Sequence, residues 1–274
     1  MADETMRSLF SVPRTAIVRD LPDSFADCLK QELPKQPIDV ALARAQHGAY
    51  TRALRALVSS LIELPTEETH PDCCFVEDTA VVIDQKAALC RLGAEERRGE
   101  EERIGSVLRA HGIETRVLTA PATMDGGDVL HTGRHLFVGL SRRTNGAAAT
   151  QLADLFPALP VVSAPVEGSL HLKSVMSALD RNTLLFAEHE AAERILTALR
   201  EKGVLRDYHV ERIPDAVASN VLSLGDTLVI QAGFPKSEDK LVSLARARRM
   251  RVVKLHMSEL IKADGALTCC SLLF

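Results

Sequence analysis

The sequence predicts an α/β propeller or array in which two strands, a helix and a third strand recur five times. Three observations predict it. Amphipathic helical stretches return at intervals of ~45–55 residues, the sign of a propeller or solenoid array rather than a linear two-domain chain. A strand-like run follows every helix, and then comes a loop and a hairpin-like pair of runs. The first strand-like run, RTAIVRD (14–20), has no helix before it, whereas the last unit, ALTCCSLLF, has only one hairpin arm. Joined, these two would close a ring and remove the open sheet edges. No long linker or low-complexity tract interrupts the pattern, so residues 1–274 are expected to form a single domain.

The helical segments run over about 39–60, 94–111, 144–156, 188–202 and 237–249. In the second, Ile104, Val107 and Leu108 fall at i, i+3, i+4 with charges elsewhere; in the fourth, Ala192, Ile195, Leu196 and Leu199 make the same stripe. Thr144 and Asn145 are credible N-caps of the third. The strand after each helix reads LIELP, TRVLTA, PVVSAPV, YHVERIP and MRVVKLHM. The hairpin arms are TAVVID with AALCRL, DVLHTG with HLFVGL, SVMSAL with TLLFA, and NVLSLG with TLVIQAG. Their turns TGRH, LDRN and LGDT carry the Gly, Asp and Asn that tight turns require.

Composition narrows the function. The 274 residues are 46% hydrophobic, enough for a substantial core, and the net charge is −4. Basic blocks are lacking; the run Arg246, Arg248, Arg249, Arg251 reads as a solvated helix end. Trp is absent and aromatics are only 4%, which disfavours a stacking platform for single strands. The start is acidic and no run of ~18 apolar residues occurs, so neither a secretory leader nor a membrane span is expected. A cytoplasmic protein follows, with neither nucleic acid nor membrane as partner. The six cysteines are expected to be free thiols, and their spacing fits no zinc motif.

One class of residue recurs at a fixed place in the repeats, the loop between the strand that follows each helix and the next hairpin. Asp72, Glu77 and Asp78 lie in PDCCFVED, Asp125 opens DGGD, His171 sits in SLHLKS and Cys269 in LTCCS. In a closed ring these loops converge on the axis. A thiol, an imidazole and several carboxylates would share one pocket, a nucleophilic catalyst with a built-in cation site. Adjacent Cys270 is the main ambiguity. If both lie on a strand, alternation lets only one face the pocket.

Taken in order, PDCCFVED, GAEERRGE, MDGGDVL, GLSRRTN, LHLKS and DGALTCCS resemble the dimethylarginine dimethylaminohydrolase family of the pentein, or guanidino-group-modifying, superfamily. The resemblance implies a five-bladed α/β propeller of ββαβ modules. It implies hydrolysis of N-omega-methylated arginines to citrulline and a methylamine. It assigns Cys269 as nucleophile, His171 as acid and base, and Asp125 as the imidazole's partner. It places Glu77 and Asp78 at the guanidinium head, where paired carboxylates match its donor fork. Phe75 could add a cation–π contact. Arg97 and Arg143 would take the substrate carboxylate, with Arg98 and Arg142 as adjacent alternatives. Asp72 and the Ala263 carbonyl would hold the α-amino group, and Leu29 would belong to a flap over the pocket. The chemistry needs no organic cofactor or metal, although zinc could bind Cys269 beside a histidine and inhibit. A small-molecule substrate and a monomer or homodimer are expected. The rival activities are arginine or agmatine deimination and a catalytically silent binding protein. The triad argues against the last.

Overall fold

The computed structural model describes residues 15–274, and within them the five predicted repeats are five small sheets. Each blade has an antiparallel hairpin whose second strand pairs in parallel with a strand beyond a helix. The first blade is β3 (Ala80–Ile83), β4 (Lys86–Leu89), α2 (Glu100–Ala110) and β5 (Glu114–Val117). The next is β6 (Val129–His131), β7 (Leu136–Leu140), α3 (Gly146–Leu155) and β8 (Val161–Pro165). Then come β9 (Met176–Asp180), β10 (Thr183–Ala187), α4 (Glu190–Glu201) and β11 (His209–Ile213). The fourth is β12 (Leu222–Leu224), β13 (Thr227–Gln231), α5 (Pro235–Ala247) and β14 (Arg251–Leu255), followed by a short α6 (Ser258–Ile261).

The last blade closes the ring. β1 (Thr15–Arg19) pairs in parallel with β2 (Ser60–Leu64) across α1 (Val40–Arg55), and antiparallel with β15 (Leu272–Leu273) through Ala16 and Ile17. Strands from the two ends of the chain thus complete one sheet, which gives the five-bladed α/β propeller.

The helices form where their apolar stripes can be buried. α4 turns Ala191, Ala192, Ile195, Leu196 and Leu199 inward, and Ile195 and Leu199 are wholly buried at roughly 1.5–3 kcal/mol each. α3 starts at its expected cap, Asn145, whose side chain accepts the Ala148 N–H. α5 begins two residues earlier than the periodicity suggests, with Pro235 in the first turn, where its missing N–H is harmless.

Two expected boundaries change. α1 ends at Arg55 instead of running to 60. The segment from 94 is not one helix, because Gly99 takes φ 108°, a left-handed conformation open chiefly to glycine. A single turn at Glu95–Arg97 precedes the break and α2 starts after it at Glu100. That break turns Arg97 inward and sets Glu100 beside it.

One feature is common to all five blades. A one-turn helix precedes the first strand of each: Val76–Thr79, Gly126–Asp128, Leu172–Ser174, Val217–Ser219 and Thr268–Cys270. In three of the steps between neighbouring turns, an Asp or Asn side chain accepts a backbone N–H of the next turn. Asp78 takes Gly127 N–H at 3.0 Å, Asp128 takes Leu172 N–H at 2.8 Å, and Asn220 takes Thr268 N–H at 3.0 Å. These links lock the turns to one another in a low-dielectric interior, where such bonds hold firmly.

Candidate active site

The turns line a cavity of about 750 Å³. Cys269, His171, Asp125, Asp78, Asp72, Phe75, Arg97, Arg143, Ala263 and Leu29 all contribute to its wall. Of the residues expected from the sequence, only Glu77 is not on it.

The centre is built around His171. Its Nε2 lies 3.1 Å from Asp125 Oδ2 and its Nδ1 3.9 Å from Asp78 Oδ1. Asp125 is fixed in turn, because its Oδ1 accepts the Gly93 N–H at 2.8 Å and its own N–H goes to Thr144 Oγ1. Glycine is required at 127, since a Cβ there would lie 2.6 Å from the His171 ring and 2.8 Å from Asp78. Burial disfavours the charged imidazole, but Asp78, Asp128 and Asp125 outweigh it and push His171 up to about 9. Burial also opposes the charge of Asp125, yet the bond to His171 and its charge hold that carboxyl down at about 2. The site therefore rests with an imidazolium against carboxylates.

Cys269 is half-buried at the cavity wall. Burial raises its thiol, and the negative charges of Glu77 and Asp78 raise it further. The resting group is a thiol, and an arriving cation would lower its pKa. Cys270 is buried behind it, with Sγ directed at the Ala266 carbonyl at 3.5 Å. The expected reason for this division was strand alternation, and it does not hold. Both cysteines lie in the one-turn helix, and the strand starts only at Leu272.

The turn at Val76–Thr79 splits the neighbouring acids in the same way. Asp78 faces the cavity and accepts from Arg97 Nη1 at 2.7 Å. Glu77 points the other way, its two oxygens held by Lys173 Nζ at 2.6 Å and Thr268 Oγ1 at 2.7 Å. Of the two carboxylates expected together, only Asp78 lines the cavity, and Glu77 ties three turns together from behind.

Arg97 also differs from expectation. It is buried, with Nε and Nη2 on the two oxygens of Glu100, Nη1 on Asp78 and Nη2 also on the Phe75 carbonyl. One Nη1–H remains, so this cation is largely spent on acids. Arg98 donates to the Leu92 carbonyl and Glu95 instead. Arg143 is the opposite case. Its Nη1 is buried with no hydrogen-bond partner among the described residues, 4.0 Å from Asp125.

Residues 29–32 also line the cavity. Leu29 N–H donates to Asp72 Oδ2 at 3.1 Å and Gln31 N–H to Asp264 Oδ2 at 2.6 Å. Phe75 meets the cavity edge-on to Phe25 and presses on Gly265, where a Cβ would lie 2.4 Å from the ring.

Donor atoms of Asp78, Asp125 and His171 fall within 4.8 Å of one another. The carboxylates already serve Arg97, Gly127, Gly93 and His171, which marks the group as a hydrogen-bonded cluster. Cys269, expected as an inhibitory zinc ligand, is not in it.

The sequence reading missed Asp128, Lys173, Asn220 and Thr268. A signal existed, since Asp128, Lys173 and Thr268 lie in the turns that carry residues already found, and Asn220 follows the equivalent turn of the fourth blade. Among the described residues, no helix is long and apolar enough to cross a membrane.

A thiol, an imidazole and carboxylates that line one cavity of a five-bladed α/β propeller fit a hydrolase of the pentein class. Residues 24–272 match the family "N,N dimethylarginine dimethylhydrolase, eukaryotic". The chain is 33% identical over 241 residues to the N(G),N(G)-dimethylarginine dimethylaminohydrolase of Pseudomonas aeruginosa, covering 86% of this chain and 90% of that one. It is 32% identical over 265 residues to the enzyme of the same name from Streptomyces coelicolor, covering 94% and 96%. The solved Pseudomonas enzyme, a cysteine-to-serine variant complexed with citrulline, superposes with a TM-score of 0.86 at 30% identity, over 96% of this chain and all of that one. The chain belongs to the dimethylarginine dimethylaminohydrolase family and is a hydrolase of the guanidino group.

Proposed function

We propose that this protein hydrolyses N-omega-methylated arginines, asymmetric dimethylarginine and monomethylarginine, to citrulline and the corresponding methylamine. One observation carries the reading. One cavity holds Cys269, His171 and Asp78 together with Arg143, whose buried Nη1 has no hydrogen-bond partner among the described residues. An acidic end suits a planar cation, and a free cation suits a carboxylate. A substrate bearing both groups fits the two ends.

The guanidinium sits on Asp78, and its charge lowers the pKa of the Cys269 thiol, which gives up its proton to solvent while His171 keeps its own. The thiolate forms a bond to the central guanidinium carbon, and one C–N bond breaks as His171 gives its proton to the leaving amine. The product of this step is a thiouronium on Cys269. Neutral His171 then removes a proton from water, the oxygen adds to the same carbon, the C–S bond breaks, and citrulline and the thiol are released. Asp125 keeps the imidazole oriented and favours its charged form. Asp72 and the Ala263 carbonyl hold the α-amino group. Leu29, whose N–H donates to Asp72, belongs to a flap over the bound substrate.

The purified protein is incubated separately with asymmetric dimethylarginine, arginine and agmatine, and the products are analysed. Citrulline with dimethylamine is expected from the first. Citrulline with ammonia from arginine, or carbamoylputrescine from agmatine, as the dominant product would replace the reading by a deiminase. No product from any of the three would favour a silent binding protein.

A further inference from the structure

We propose that Asp128 is the positioning residue that ties the two ends of the site together: one oxygen sets the turn that carries His171, and the other sets the loop that carries Arg143. The inference rests on the roles given above to those two residues.

Asp128 is fully buried and does not line the cavity. Its Oδ1 accepts the N–H of Leu172, the residue after His171, at 2.8 Å. Its Oδ2 accepts the Ser141 hydroxyl at 2.6 Å. That hydroxyl oxygen in turn accepts the N–H of Arg143 at 2.9 Å and of Thr144 at 3.2 Å. Thr144 Oγ1 accepts the Asp125 N–H, and Asp125 meets His171. The circuit closes on itself: Asp128, Ser141, Thr144, Asp125, His171, Leu172 and back.

Two further facts support a built arrangement. Gly139 leaves room for it, since a Cβ there would lie 2.8 Å from Asp128 Oδ1 and 2.9 Å from the Leu172 side chain. The carboxylate also needs both its lone-pair sides. An amide at the same place would turn an N–H₂ toward either the Leu172 N–H or the Ser141 hydroxyl, and in the second case Ser141 could no longer donate to it without conflict. The arrangement couples chemistry and binding through one buried group that touches no substrate.

The test compares Asp128→Asn with Ser141→Ala, which removes the acceptor of the Arg143 and Thr144 N–H groups but leaves the Asp128–Leu172 bond to the His171 turn in place. Ser141→Ala should raise KM for asymmetric dimethylarginine by about tenfold while kcat stays within about threefold, the size of one lost positioning bond. Asp128→Asn should raise KM comparably and also lower kcat by tenfold or more. A second readout does not depend on the substrate. In protein labelled with 15N-histidine, with the signal assigned through His171→Ala, the His171 titration should move to lower pH in Asp128→Asn and stay put in Ser141→Ala. The charged and titratable groups around that ring are Asp78, Asp125, Asp128, Cys269 and Arg143, and only one of them is changed.

If wild-type protein does not act on dimethylarginine, the functional reading fails, and the histidine titration alone judges Asp128. An Asp128→Asn protein of unchanged melting temperature with kcat, KM and titration like wild type would overturn the proposal. If that variant does not fold, Ser141→Ala decides. A raised KM with kcat retained supports the tie from Asp128 through Ser141 to the Arg143 loop, and unchanged constants refute the proposal.

Discussion

Arg143→Ala should weaken binding and spare chemistry. Its Nη1 is buried without a partner among the described residues, and its side chain is 19% exposed, so it retains most of its electrostatic reach. The loop's shape does not depend on the guanidinium, because the backbone N–H of Arg143 is what anchors it to Ser141. A lost charge-assisted contact of ~1.5–3 kcal/mol corresponds to roughly a 10–150-fold rise in KM. The complication is Asp125, 4.0 Å away. Loss of a cation at that distance changes the interaction by at most ~4 kcal/mol at an effective dielectric of 20, or roughly three pKa units. Asp125 starts at about 2, so it stays ionised at neutral pH and His171 keeps its partner. The expected result is therefore a 10–150-fold KM increase with kcat within about threefold. Steady-state kinetics on dimethylarginine reads both constants, and N,N-dimethylguanidine, which lacks the carboxylate, should be equally poor with either enzyme. A collapsed kcat at unchanged KM would show that Arg143 serves the reacting end, and the assignment of the two ends of the cavity would be reversed.

Other perturbations follow from the same geometry. Cys269→Ser should abolish turnover and Cys270→Ser should leave most of it; mass spectrometry after treatment with a haloacetamidine would contradict this if the label sat only on Cys270. His171→Ala should be more damaging than any binding-residue change, and Asp125→Asn severe but less complete; near wild-type citrulline release by the alanine variant would remove the acid–base role. With His171 raised to about 9 and the thiol above its ordinary value, the free enzyme at neutral pH holds one proton too many, so kcat/KM should climb from pH 7 toward about 9. Bound substrate should bring the corresponding limb of kcat to lower pH, and a kcat/KM profile flat from pH 6 to 9 would be incompatible with this. His47 and His131 are buried and pushed down to about 4, so the unfolded chain takes up their protons first. Their contribution is whole above about 6.5 and is lost as pH falls toward 4, up to about 3 kcal/mol each. Urea melts should show a shallower loss in His131→Leu, and an equally steep one would exclude that residue.

The repeats were legible because hairpins, strand runs and helical stripes each extend over enough residues to show a period. Ile104 with Leu108 and Ile195 with Leu199 are where the stripe placed them. The one-turn helices were not legible, since three or four residues carry no periodicity, and the chemistry sits on them. Hence strand alternation was the wrong reason for expecting only one of Cys269 and Cys270 at the cavity, the choice of Cys269 having come from the resemblance, and Glu77 was paired with Asp78 although a turn sends them to opposite sides. Arg97 looked available because its partner Glu100 stands across a helix break that only the φ of Gly99 reveals. The buried residues that hold the turns together, Asp128, Lys173 and Asn220, resemble ordinary surface polar residues in a linear sequence. Their meaning lies in equivalence between blades.

The joining of β1 to β15 has a consequence in time. The turn bearing Cys269 leads straight into β15, and Tyr50 Oη donates to the Ser271 hydroxyl between them at 2.7 Å. Along the chain the acids and the imidazole come before the thiol, which sits on the turn that leads into the closing strand. Four blades can be complete while the fifth still lacks its partner strand, and through that interval there is a pocket but no reagent. The step that seals the circle is the step that arms it. A molecule in which β15 has not joined β1 holds the acids and the imidazole without the thiol set beside them.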